Sequence, residues 1–255
     1  MKLPSLLALT LGLLAAGPLR ASAAATAAKP TVFTSGEART RLIELFTSEG
    51  CSSCPPAEDW LAGLRNHPGL WRDFVPVSFH VVYWDALGWP DRFASKPFTA
   101  RQYALAASWS SNQVYTPCLA LDGAEWKALF SRAAPAAAGP TGILRVDYAN
   151  DGTTLVTFTP VGLAPGVGYE AQVAVLGGGL SSDVKAGENA GHTLRHEFVA
   201  LALTTVPLKL AGGVWQADTT MARPKVAGVK DLALAVWVTR RGELAPVQAT
   251  GGWLP

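Results

Sequence analysis

The feature that most constrains this chain is a cysteine pair, Cys51 and Cys54, set between an apolar run and two prolines. Arg41 to Phe46 (Arg-Leu-Ile-Glu-Leu-Phe) reads as a strand, and Pro55-Pro56 follows the second cysteine. Proline is tolerated in a first helical turn, where its missing N–H would find no partner anyway. Ala57 to Asn66 has helical spacing through Trp60, Leu61 and Leu64 and ends near Pro68-Gly69. The order is strand, Cys-x-x-Cys, helix. Two cysteines three apart on an opening helical turn reach disulfide distance, and the helix N-terminus favours the thiolate of the first. A thiolate is the attacking species in disulfide exchange. Cys51 is therefore the candidate nucleophile and Cys54 the resolving thiol.

Other uses of the motif weigh less. A structural bridge across so short a loop gains little loop entropy. A four-cysteine zinc site would need a second pair, and the chain has only one further cysteine, Cys118. The neighbours set the poise of the pair. The hydroxyls of Ser52 and Ser53 can donate to a thiolate, and Glu49 raises the thiolate's energy. A second signal is Thr116-Pro117, directly before the strand candidate Cys118 to Leu121. A proline opening a strand beside a redox pair is suited to a cis bond and to shaping substrate contact. Strand alternation turns Cys118 away from the face of Pro117, which favours a buried thiol.

The N-terminus reads as an export signal. Lys2 is followed by the short apolar run Leu6 to Ala16 and by Ala21-Ser22-Ala23, a small-x-small cleavage pattern. Residues 1–23 are expected to be removed, leaving a soluble periplasmic or secreted protein. Their loss takes Lys2 and Arg20 and no acid, so 21 − 2 leaves 19 basic residues against 19 acidic ones. A neutral mature chain has no electrostatic footprint for nucleic acid or anionic membrane. Protein thiols or disulfides are the expected partners, and no cofactor or metal is required.

Residues 24–38 read as a flexible lead-in. Phe74 to Val82 is a second strand candidate, Thr99 to Trp109 a helix, and Glu125 to Ala138 an Ala-rich helix broken by Gly139-Pro140. From Ile143 onward, short β-type runs alternate with turn signals such as Asn150-Asp151-Gly152 and Gly212-Gly213. One such run is His192 to Leu201. The expectation is an α/β thioredoxin-like domain over 39–140, followed by an all-β sandwich-like domain over 141–255.

Longer stretches carry a resemblance. Leu45-Phe46-Thr47-Ser48-Glu49-Gly50-Cys51-Ser52-Ser53-Cys54-Pro55-Pro56 is similar to the signature of the domain of unknown function 1223 family. So are Phe79-His80-Val81, Tyr83-Trp84-Asp85, Leu87-Gly88-Trp89, Phe98 to Gln102, Val114 to Pro117, Leu121-Asp122-Gly123 and Gly187-Glu188-Asn189 with Gly191. The resemblance implies an exported bacterial protein with a thioredoxin-like fold and does not imply an activity. It adds His80, Trp84 and Asp85 as site neighbours, beside Glu49, Ser52, Ser53, Thr116 and Cys118. His80 could tune the thiolate, shuttle its proton or complete a copper site with Cys51 and Cys54, the alternative to redox chemistry. A third alternative is a binding module with a structural disulfide. Trp84, Trp89 and Phe93 are groove or core candidates. Glu44 points to the face opposite the pair. His192 and His196 are about 13 Å apart if the strand is straight, which favours a solvated strand face over a shared ion. Glu188 and Asn189 are expected in a loop that touches the first domain.

Overall fold

Two long strands explain the architecture. Tyr169–Gly178 and Asp231–Arg240 are apolar at almost every position, and side chains on a strand alternate between its faces. Ala174, Leu176, Ala233, Ala235 and Trp237 enter one core. Ala171, Val173, Val175, Leu234, Val236 and Val238 enter another. A sheet apolar on both faces must be covered on both.

The computed structural model describes residues 29–127, 133–162 and 166–255. The signal segment 1–23, the start of the lead-in and residues 128–132 of the expected helix lie outside the described residues. The elements in order are β1 (Thr31–Thr34), β2 (Arg41–Thr47), α1 (Pro55–Gly63), β3 (Phe74–His80), α2 (Lys96–Ser108), β4 (Cys118–Leu121) and β5 (Ala124–Glu125). There follow β6 (Gly142–Tyr148), β7 (Thr153–Pro160), β8 (Tyr169–Gly178), β9 (Leu180–Asp183), β10 (Thr193–His196), β11 (Val199–Pro207), β12 (Lys209–Ala211), β13 (Val214–Thr220), β14 (Asp231–Arg240) and β15 (Pro246–Trp253). An eight-stranded sheet runs β15-β14-β8-β11-β3-β2-β4-β5. A five-stranded sheet runs β1-β6-β7-β13-β12 and shares a core with β8 and β14. The other core holds side chains of α1 and α2 together with β2, β3 and β4.

This corrects the expected fold class. Among the described residues 44% are strand against 14% helix, a sandwich-like build rather than an α/β thioredoxin-like domain followed by a β domain. Strands from both sides of residue 140 belong to one sheet, joined where β11 runs parallel to β3 at Val199↔Ser78. The Ser78 N–H donates to Phe198 O across that joint. Pro76 lies two residues earlier on the same edge and has no N–H, which is one reason the ladder is so short. Thr31–Thr34, read above as lead-in, pairs antiparallel with β6. Ala133 to Ala138, expected to be helical, has no regular structure.

Candidate functional site

Local chemistry builds the cysteine turn as expected. β2 ends at Thr47, and Cys54 caps α1 with proline in the first turn. Cys51 and Cys54 are joined as a disulfide, Cα to Cα 5.5 Å, and both are fully buried. Ser52 and Ser53 are exposed. Ser53 Oγ lies 3.4 Å from Cys51 Sγ.

A loop from far along the chain clasps this turn. Asn189 Nδ2 donates to Glu49 O at 2.8 Å and to Cys51 O at 3.0 Å. The Ser52 backbone N–H and hydroxyl both donate to Glu188 Oε2, at 3.0 and 2.7 Å. Those bonds to Ser52 hold the Glu188 carboxyl below its usual pKa. Trp84 packs on the other side: a methyl at Gly50 would meet Trp84 Cβ at 3.1 Å, so glycine permits the approach. Trp84 Nε1 donates to Thr116 Oγ1 at 2.8 Å, tying the turn to the cis Thr116–Pro117 bond. Cys118 faces Phe46 in the β4–β2 ladder and is buried. Burial pushes its thiol up to about 11, against hydrogen bonds from Tyr115 and Gln102 that lower it.

A cluster of buried ionisable groups adjoins the pair. Glu58 stands in the first turn of α1, and its backbone N–H donates to Cys54 O. His196 lies between two carboxyl groups, with Nδ1 2.7 Å from Glu58 Oε2 and Nε2 3.1 Å from Glu49 Oε1. Burial alone would lower the His196 pKa, but the hydrogen bonds to Glu49 and Glu58 raise it to about 9. Burial likewise works against the Glu49 carboxylate, yet His196 and Trp89 hold its pKa below the usual range. Trp89 Nε1 donates to Glu49 Oε2 at 2.7 Å. His80 ends β3 with Nδ1 2.6 Å from Asp91 Oδ2. Asp91 also accepts the Glu49 N–H, at 2.9 Å, and the Phe93 N–H. Burial opposes its charge, but His80 and these donors keep its pKa at about 2. Asp85 accepts the Asp91 N–H and so steadies that loop. Phe93 packs edge-on against both imidazoles.

Several expectations change here. His196 is buried, because the run His192 to Leu201 is two strands rather than one. Phe198 takes a left-handed φ of 57°, and the chain passes from the β9–β10 pair into the large sheet. Alternation along β10 then turns Leu194 and His196 inward, while His192 stays exposed. His80 is grouped with Glu58 and His196 as potential metal ligands, without the cysteines. Glu44 is buried and pairs with Arg101 of α2. Glu58 escaped the sequence analysis, although its place four residues after Cys54 on the helix was a readable signal.

Residues 42–239 match the profile of the DUF1223 family, described as a protein of unknown function. No curated protein matches the chain. The crystal structure of protein AGR_C_4864 from Agrobacterium tumefaciens is similar at 25% identity and a TM-score of 0.55, over 86% of this chain and 95% of that one. HBP35 of Porphyromonas gingivalis, at 15% identity and a TM-score of 0.58, covers 86% of this chain and 76% of its own and bears on the fold alone. With the larger part of its length matched, the chain belongs to the DUF1223 family.

Proposed function

We propose that the protein exchanges thiols and disulfides with other proteins outside the cytoplasm, through Cys51 and Cys54. The observation that carries this reading is the buried acid–base cluster one helical turn from the pair. Buried ionisable groups cost free energy. A staple closing a three-residue step gains little and has no need of such groups. A pair that gains and loses protons does.

In the reducing direction, Cys51 thiolate attacks a partner disulfide and releases one partner thiolate. Cys54 then attacks the Cys51 sulfur, releases the second partner thiolate and closes the Cys51–Cys54 bond. Two electrons pass to the partner. The reverse sequence oxidises a partner dithiol. Proton acceptance from Cys54 falls to the Glu58–His196–Glu49 network. The exposed Ser52–Ser53 step is the side of approach, and the Glu188–Asn189 clasp must loosen for Cys51 to be reached. The signal-like pattern of residues 1–23 supports a periplasmic or secreted setting for this chemistry.

The test is a Cys54→Ser chain expressed with its own leader. Mixed disulfides to partner proteins that are absent from a Cys51→Ser/Cys54→Ser chain are expected. No trapped partner, together with no insulin reduction and no oxidation of a reduced model substrate by wild type, would leave a structural disulfide and end the proposal.

A further inference from the structure

Among the buried polar atoms without a partner, one belongs to the ionisable cluster beside the cysteines. His80 is fully buried, and its Nε2 meets no hydrogen-bonding group. With Nδ1–H donated to Asp91, the neutral ring keeps a bare lone pair at Nε2. The protonated ring would instead leave a buried N–H without an acceptor. Either state costs about 1–3 kcal/mol unless something occupies the position. One ligand atom from each of Glu58, His80 and His196 lies within 4.8 Å of the other two.

We infer that Glu58, His80 and His196 form a binding site for a divalent first-row cation of the zinc class, separate from the cysteine pair. Two imidazoles and one carboxylate suit zinc, with bonds of about 2.0–2.2 Å, so the 2.7 Å contact between His196 Nδ1 and Glu58 Oε2 opens to admit the ion while His80 closes onto it. The surrounding groups fit the role. A metal-bound imidazole usually gives its other N–H to a carboxylate, which fixes the ring and raises its basicity. His80 has Asp91 for this, and His196 has Glu49. The ion takes the place between His196 Nδ1 and Glu58 and displaces the proton held there, so proton acceptance from Cys54 belongs to the metal-free chain. Three carboxyl groups, Glu49, Glu58 and Asp91, surround two imidazoles, which favours a cation. The ligand side chains are buried, and clefts of about 190 Å³ and 290 Å³ lie over Glu58 and His196 respectively. The three ligands come from α1, β3 and β10. An ion there would pin the cysteine helix to both sheets that flank it.

The experiment uses the full mature chain, disulfide intact and stripped by a chelator, titrated with Zn(II) and with Co(II). One ion per chain is expected, with the intense visible bands of tetrahedral Co(II). X-ray absorption at the zinc edge should show imidazole and oxygen scatterers and no sulfur. His80→Gln should weaken binding by more than the ~10–100-fold typical of losing an outer partner, for which Asp91→Asn is the comparison. Cys51→Ser/Cys54→Ser should keep the ion, so this outcome is independent of the exchange activity. Wild type that binds no zinc, a sulfur scatterer in the absorption spectrum, or ion loss on removing the cysteines would each overturn the assignment. The wild-type spectra decide the matter even if a His80 variant fails to fold.

Discussion

At the scale of single residues, bonding and neighbours separate three buried cysteines into two kinds. Cys51 and Cys54 are bonded and sit beside charged groups, whereas Cys118 is an isolated thiol in the core. Its pKa is raised from 9.0 to about 11 in the folded chain, mainly by desolvation. The unfolded chain therefore loses this proton first as pH rises. The contribution to stability is complete below pH 9 and is lost between pH 9 and about 11. Urea midpoints at pH 8 and pH 10.5 should fall further in wild type than in Cys118→Ala; equal falls would show that the thiol has no such role. Alternation made the burial of Cys118 legible in the sequence. The burial of Glu44, and its need of Arg101 as a partner, came only from the structure.

At the scale of elements, the strand, cysteine turn and helix were legible because local rules suffice there. An apolar run, prolines in the first helical turn and a two-residue gap set the geometry without outside help. The clasp was less so, since Asn189 lies 138 residues from the Cys51 carbonyl it binds. Asn189→Ala leaves the buried Glu49 carbonyl without its donor, while the Cys51 carbonyl keeps the Cys54 N–H, and should cost about 1–3 kcal/mol in urea unfolding. The same change should speed reduction of the Cys51–Cys54 bond by dithiothreitol. An unchanged reduction rate would mean that the loop does not control access. The break at Phe198 was not legible, because a single left-handed residue inside a β-type run leaves no periodic trace. That one backbone angle changed the expected solvated face of His196 into a buried one.

At the scale of the whole molecule, the two halves are bound by more than the β11–β3 joint. Arg65 binds Glu197 at 2.9 Å and Asp231 at 2.6 Å while stacking on Trp253. Gln248 of β15 accepts the Thr40 N–H and donates to Gly36, Ala38 and Gly142 carbonyls. Because β8 and β14 serve both cores, neither half can be removed without exposing a sheet face. Calorimetry should show one cooperative transition, and a chain cut at residue 140 should not fold; two resolved transitions would argue for independent units. Sequence alone determined the cysteine turn and its helix, the strand-rich second half and the family, since each depends on neighbouring residues or short contiguous motifs. Only the tertiary structure decided that both halves share one sheet, and that Glu49, Glu58, His80, Asp91 and His196 meet in one buried cluster. Strand pairing and burial between residues more than 100 positions apart are settled by packing and hydrogen-bond satisfaction across the whole chain, and no local pattern encodes them.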